Sequence, residues 1–479
     1  MRSVPVPSPA AGSRRSLLYW AVAGAVVLSG VAVYRALAGP LGTRQVSAAL
    51  PPESPAPQSG PGPLPKLPKP RLLQGQVLDA DSGVPLRGTS IWAGAVQAVT
   101  DADGRFSLEL APGPSPDTAI VKLPGYERQL LPVKDGESTI KLRPQVVRAA
   151  YLTYYGIADR RIRERVLDLA GRTELNAVVI DVKGDRGLIP YRTEVPAAVE
   201  AGAVGPVVIK DFDALIASLK AQDIYTIARI VTFKDHVLAN HRKDLAIIDT
   251  RTGRPWLDNE KLAWVDPFRE EVWDYTIAIA KEAAAKGFDE IQFDYTRFPT
   301  DGKLSAARYS RPNNSTTRLP TIAAFLAKAR RELGPTGVFL AADLFGYTAF
   351  NANDTDIGQR IEELAPYLDY ICPMVYPSGY HLGIPGYRNP VTHPFEVVRE
   401  TVRLIRQRSQ HATVQVRPWI QDFRDYAFDR RVFGVREIRA QMRGAAEGGA
   451  IGWMLWNPRN DYTAEALSPK TLVARRSPE

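Results

Sequence analysis

The chain of 479 residues holds a single cysteine, Cys372. An intramolecular disulfide is therefore impossible, and cysteine usage is silent on the compartment. Three signatures are also missing: there is no G-x-x-x-x-G-K-[ST], no H-E-x-x-H and no G-x-S-x-G. Their absence removes support for P-loop nucleotide hydrolysis, zinc proteolysis and α/β-hydrolase chemistry. The net charge is +9 and the pI near 9.4, yet no tight Lys/Arg cluster with interleaved aromatics occurs, so nucleic acid is not an expected partner. The excess would suit an anionic envelope polymer, but its dispersal reads as a solvated basic surface. The nearest metal-like grouping is Asp235, His236 and His241. Two histidines five apart do not share a helix face, so a loop fits better than the metal site of a polysaccharide deacetylase. No metal and no cofactor is expected.

What is present is ordinary globular composition, with 45% apolar and 24% charged residues, enough for a sizeable core. The length predicts one large domain beside smaller units. Arg2, Arg14 and Arg15 precede an uncharged run over residues 17–34, close to the length that spans a bilayer. Positive charge before the run predicts an anchor with its N-terminus inside. A cleaved signal peptide is the other reading, because Ala36-Leu37-Ala38 before Gly39 fits a small-residue cleavage site. Either way the remainder is exported. The expected location is the cell envelope, facing outward from the membrane, or secreted if the segment is cleaved.

The divisions that follow are a cytoplasmic n-region (1–16), the anchor or signal (17–38), a linker (39–71), a β-sandwich (72–145), a barrel (148–466) and a tail (467–479). Nine of the twenty positions over 51–70 are proline; such a stretch cannot offset its ordering entropy by burial and reads as an extended spacer. From 72 to 142 short alternating segments flank turn signals, an all-β pattern. The motif Asp101-x-Asp103-Gly104 lacks the glutamate that closes a calcium loop and reads as a hairpin turn. In GQVLDADSGVPLRG, TDADGRFSL and KLPGYE the segment resembles carboxypeptidase regulatory-like β-sandwich modules. That resemblance implies a noncatalytic spacer or adhesion unit.

From Arg148 onward apolar strand-like runs alternate with helical periodicity, the signature of βα units around a parallel sheet. Eight strands are expected at 151–155, 177–183, 225–231, 290–296, 338–345, 370–376, 413–419 and 451–456. Amphipathic helices lie between them, for example over 159–172, 269–286, 357–368 and 435–446. Eight units predict a (β/α)8 TIM barrel, whose active face is built by the loops at the C-terminal strand ends.

Strand alternation then separates core from site. In strand four Ile291, Phe293 and Tyr295 form the outward apolar set, which turns Gln292, Asp294 and Thr296 inward. The same parity turns Asp181 and Lys183 of strand two inward, with Arg229 from strand three and Asp343 from strand five. Glycoside hydrolysis needs one carboxylate kept ionised and another held protonated. Asp294 is the candidate nucleophile or base and Asp343 the candidate acid, with apolar Ala341, Leu344 and Phe345 around it. Asp181, Lys183, Arg229, Gln292 and Arg297 are candidates for binding substrate or tuning Asp294. Asp422 is a third possible acid, beside Gln421, while Tyr376, Trp419 and Trp456 offer aromatic faces for sugar rings.

The segments VVIDVKGDRG, WVDPFREEV, EIQFDYTRFP, AADLFGY, ICPMVYPSGY, RPWIQDF and IGWMLWNP together resemble a glycoside hydrolase barrel family first catalogued without a known function. The resemblance spans residues 148–458. It implies a barrel related to amylase-like and galactosidase-like hydrolases, in which the strand-four aspartate is the usual nucleophile, the position Asp294 occupies. The amylase-like group carries a glutamate acid at the end of strand five, where this chain has Asp343. A glycoside hydrolase acting on an extracytoplasmic polysaccharide is the expected function, with a noncatalytic glycan-binding protein and a deacetylase as alternatives.

Overall fold

The computed structural model describes residues 71–470, except 112–115, 135, 207–208 and 411. The expected membrane segment, the proline-rich stretch and the end of the tail lie outside the described residues. Among the described residues no helix is long and apolar enough to cross a membrane.

Residues 71–142 form two small sheets. In one, Arg71–Asp79 pairs antiparallel with Arg105–Leu110 and parallel with Gly136–Leu142. In the other the order is Val96–Val99, Ser90–Ala93, Thr118–Lys122 and Gln129–Pro132. Alternation decides which side chains close the space between them: Leu73, Val77, Phe106, Leu108, Ile91, Val121 and Ile140 share one buried cluster, while their strand neighbours face out. The Asp101 carboxylate accepts the amides of Asp103 and Arg105, an Asx-type turn that carries the chain from Val96–Val99 in one sheet to Arg105–Leu110 in the other, a crossover where a hairpin is expected.

The barrel strands are Arg148–Leu152, Ala177–Lys183, Tyr225–Val231, Glu290–Asp294, Phe339–Phe345, Tyr370–Met374, a seventh in two pieces (Gln415–Val416 and Trp419–Gln421) and Trp453–Trp456. Each pairs in parallel with the next, strand eight pairs with strand one, and the circle closes. Strand one lies three residues earlier than the sequence suggests, because Thr153 caps a short helix over Tyr154–Ala158. Pro418 lacks the N–H a continuous ladder needs and divides strand seven. The helix expected over 357–368 shrinks to Ile361–Leu364 and a 3-10 turn over Ala365–Tyr367.

Two apolar clusters mark the two faces of the strands. Ile180, Ile230, Ile291, Phe293 and Leu344 meet the helices; Ala149, Tyr151, Val179, Ile227, Ala341, Cys372, Trp419 and Met454 fill the interior. The barrel is thus a packed core, and only its C-terminal end opens.

The other end is closed by the sandwich. Lys122 donates to the backbone oxygen of Val338 at 2.5 Å and to Asp369 at 2.9 Å, and the Gly125 amide donates to the Tyr370 hydroxyl. Trp92 approaches Gly334 so closely that a Cβ there would meet its ring at 2.4 Å. Just inside, Arg417 pairs with Glu290, both fully buried, and lies 4.2 Å from the Tyr370 ring centroid. The β-sandwich is therefore seated against the barrel.

Candidate active site

Strand four reads Glu-Ile-Gln-Phe-Asp. With Ile291 and Phe293 outward, Glu290, Gln292 and Asp294 point into the barrel at successive levels. Only the last reaches the open end. Gln292 lies lower, donating to the sulfur of Met454 at 3.5 Å, and is fully buried; the expectation that it binds substrate is corrected, because a residue two positions before the strand end lies a whole layer beneath the mouth.

Asp294 is held by Arg229. The guanidinium donates to Asp294 Oδ2 from Nε at 2.9 Å and from Nη2 at 2.6 Å. From Nη1 it donates to Asp181 at 2.7 Å, and Nη2 also reaches Asp185 at 3.1 Å. One cation thus serves three carboxylates, and the charge on Asp181 and Asp294 holds the Arg229 pKa well above its usual range despite burial. Asp181 also accepts the Tyr151 hydroxyl at 2.6 Å and the Tyr154 amide at 3.1 Å; burial nevertheless raises its pKa. Three protein donors meet it, and it is not among the residues that line the cleft at the mouth.

The backbone at Tyr295 has φ +50, a left-handed conformation that costs a non-glycine residue of order 1 kcal/mol or more. Its amide donates to Asp294 Oδ1 at 2.6 Å. This turn ends strand four and breaks the alternation. Tyr295, expected outward, instead lines the cleft beside Trp264 and Arg297, while Thr296 is buried against Thr232.

A second irregularity overturns the placing of Lys183. Arg229 pairs in register with Asp181 but Ile230 pairs with Lys183, so Val182 is the extra residue of a bulge. Lys183 therefore leaves the barrel interior, pairs with Asp235 at 2.7 Å and lies 5.7 Å from the Tyr275 ring on an outer helix. Asp235 also caps the helix His236–His241. His236 Nδ1 accepts the Ala263 amide, and among the described residues no three His, Cys, Asp or Glu converge as metal ligands.

Asp343, two residues before the end of strand five, is 1% exposed and is not among the residues that line the cleft at the mouth. Its Oδ1 accepts the Trp419 indole N–H at 2.7 Å. Burial, and then the nearby Asp294 charge, hold its carboxyl well above the usual carboxylate range, as expected for a group taken out of water beside a like charge. Asp294 and Asp343 are thus in opposite situations: one gripped by a cation, the other deprived of one.

The mouth encloses a cleft of about 730 Å³. Asp294, Arg229, Arg297, Tyr376, Trp419 and Trp456 of the expected residues line it. Trp456 stacks on Tyr151 with centroids 4.1 Å apart. Gln421 does not reach the cleft: its side chain is spent on Ser378 and Phe423. Nor does Asp422, whose two oxygens accept from Thr463 and whose pKa burial raises to about 6; it follows strand seven with the parity that faces away from the interior. Alternation could not find Asp185, Glu260, Phe423, Arg424, Arg459 or Asp461, which line the cleft from loops. Two signals were legible: Asp185 lies inside VVIDVKGDRG and Phe423 closes RPWIQDF.

A family model described as "Putative glycosyl hydrolase domain" matches residues 149–462. No curated protein matches the chain. Among solved structures, similarity extends to a hypothetical protein from Ruminiclostridium thermocellum, 39% identical over 40% of this chain and 96% of that one, with a TM-score of 0.36. The glycoside hydrolase domain of PgaB (BpsB) from Bordetella bronchiseptica is 15% identical over 68% of this chain and 100% of its own, with a TM-score of 0.47. A chitinase from Chromobacterium violaceum is 12% identical over 67% and 97%, with a TM-score of 0.40.

Proposed function

The chain belongs to the family described as a glycosyl hydrolase domain, and from that membership we propose that it cleaves glycosidic bonds of an extracytoplasmic polysaccharide by a two-carboxylate mechanism. The observation that carries the reading is the contrast between Asp294 and Asp343 on adjacent barrel strands. Two donors of Arg229 fix one oxygen of Asp294 at the open end of strand four, which suits a nucleophile or a base that activates water. Burial, and then the Asp294 charge, raise the Asp343 carboxyl well above the usual carboxylate range, which favours its protonated form and suits a donor to the leaving oxygen. Arg229, fixed by Asp181, orients Asp294, and Trp456 and Tyr376 offer ring faces on which a sugar stacks. No cofactor enters this chemistry. Export through the segment at 17–38 puts the enzyme at the cell envelope, where such a polymer is found.

The test is digestion of a glycan panel with wild type beside Asp294→Asn. New reducing ends from wild type and none from the variant, with unchanged melting, support the assignment; cleavage by the variant ends it.

Burial of Asp343 beneath Trp419 favours a second reading, in which the barrel grips glycan without cleaving it. Retention of a polymer in a pull-down, with no reducing ends released from any panel member, would select it.

A further inference from the structure

Arg297 follows the left-handed turn at Tyr295 and is only 7% exposed. Three aromatic faces surround its guanidinium: Trp264 at 5.2 Å, Tyr295 at 5.0 Å and Phe345 at 4.5 Å to the ring centroids. Such faces attract a cation but cannot neutralise it. Nη1 donates to the Phe298 carbonyl at 3.0 Å and to Thr300 at 3.5 Å. Nε and Nη2 have no protein acceptor among the described residues. Neither is among the enclosed polar atoms left without partners, so this edge opens on the cleft that Arg297 lines. It is the same edge with which Arg229 holds Asp294 and Arg318 holds Asp354. In Arg297 no carboxylate meets it.

Burying a charge without a partner is costly, and burial does pull the Arg297 pKa below its ordinary value. Arg297 stays without a carboxylate although Arg229 is shared by Asp181, Asp185 and Asp294, and Lys234 by Asp258 and Glu260. Arg424 and Arg459 line the same cleft and enter no ion pair among the described residues, against Asp461 alone of the cleft's acids.

We propose that the cleft takes an anionic glycan, and that the free Nε and Nη2 edge of Arg297 receives the acid group of one sugar as a bidentate pair. The proposal rests on the glycan reading of the site and names the substrate's charge. Carboxylate and phosphate oxygens both match a planar fork, so the two sources are separated by experiment.

Binding is measured on Asp294→Asn protein, so that cleavage does not enter, by affinity electrophoresis in gels of polygalacturonate, hyaluronan, a phosphodiester-linked teichoic polymer, and the carboxyl-reduced form of each uronate polymer. The expected result is retention by at least one acidic polymer, weakened roughly tenfold or more on carboxyl reduction and by added salt. Retention by the phosphate polymer alone assigns the acid group as phosphate. In the Asp294→Asn background, Arg297→Gln should remove the preference and Arg297→Lys restore part of it, with circular dichroism reporting the fold of each. Equal binding of native and reduced polymers, or binding to no acidic polymer, overturns the proposal whatever the variants do. Acid-dependent binding by a protein that releases no reducing ends would sink hydrolysis and leave this inference standing.

Discussion

Arg229 meets Asp294 through two donors, Nε at 2.9 Å and Nη2 at 2.6 Å, across 65 residues of sequence. The same guanidinium holds Asp181 and Asp185. Replacing it, as in Arg229→Met, leaves two buried carboxylates without their cation. Loss of about 3–5 kcal/mol is expected for breaking a buried pair, read as a fall in the urea midpoint, with loss of turnover in whatever folds. An unchanged midpoint would show that the cluster is not held by this cation.

The pH profile separates the two candidate acids. A general acid works protonated, so activity falls as pH rises through its pKa. With Asp343 as the acid, the alkaline limb of kcat/KM lies well above the carboxylate range, and Trp419→Phe moves it higher still, since the indole N–H favours the charged form. If Asp422 were the acid, the limb would lie near its pKa of about 6 and disappear in Asp422→Asn.

Lys183 tests the bulge. It faces Asp235 and an outer helix, so Lys183→Met should lower stability by about 3–5 kcal/mol while the folded fraction keeps the wild-type KM. A raised KM at equal fold would return Lys183 to the mouth.

The sandwich contact has its own linkage. Asp369 accepts Lys122 at 2.9 Å, Arg330 at 2.7 Å and the Leu340 amide at 2.8 Å, and although burial alone would raise its pKa, these cations hold it near 2. Its folded pKa is below the unfolded value of about 3.9, so its contribution is complete above that pH and is lost as pH falls toward 2. Burial draws the weaker partner, Lys122, down to about 8; Asp369 retains its charge because Arg330 shares it. Asp369→Asn should therefore cost stability at pH 5 to 7 and much less at pH 2, as read by thermal melts across that range. A pH-independent loss would contradict the linkage.

Strands two, three and five are legible almost residue by residue, because buried strands read as apolar runs and the helices between them repeat every 3.6 residues. Alternation also brought Asp181, Arg229, Asp294 and Asp343 to one face. It failed where the backbone leaves the regular strand. The extra residue at Val182 reversed Lys183, and the left-handed Tyr295 swung a supposed helix-facing ring into the cleft.

The sequence by itself determined the eight βα units and the inward side chains of their strands, since both follow from periodicities carried within a few residues. Tertiary structure decided which carboxylate receives the cation and which is left in an apolar pocket. It also decided that the sandwich closes the barrel floor and that one edge of Arg297 stays free. Those outcomes depend on burial and on partners brought from 48 and 65 residues away in the Arg229 cluster, and from 247 residues away at Lys122. Electrostatic environment is a property of what surrounds a group in space, and no local pattern encodes it.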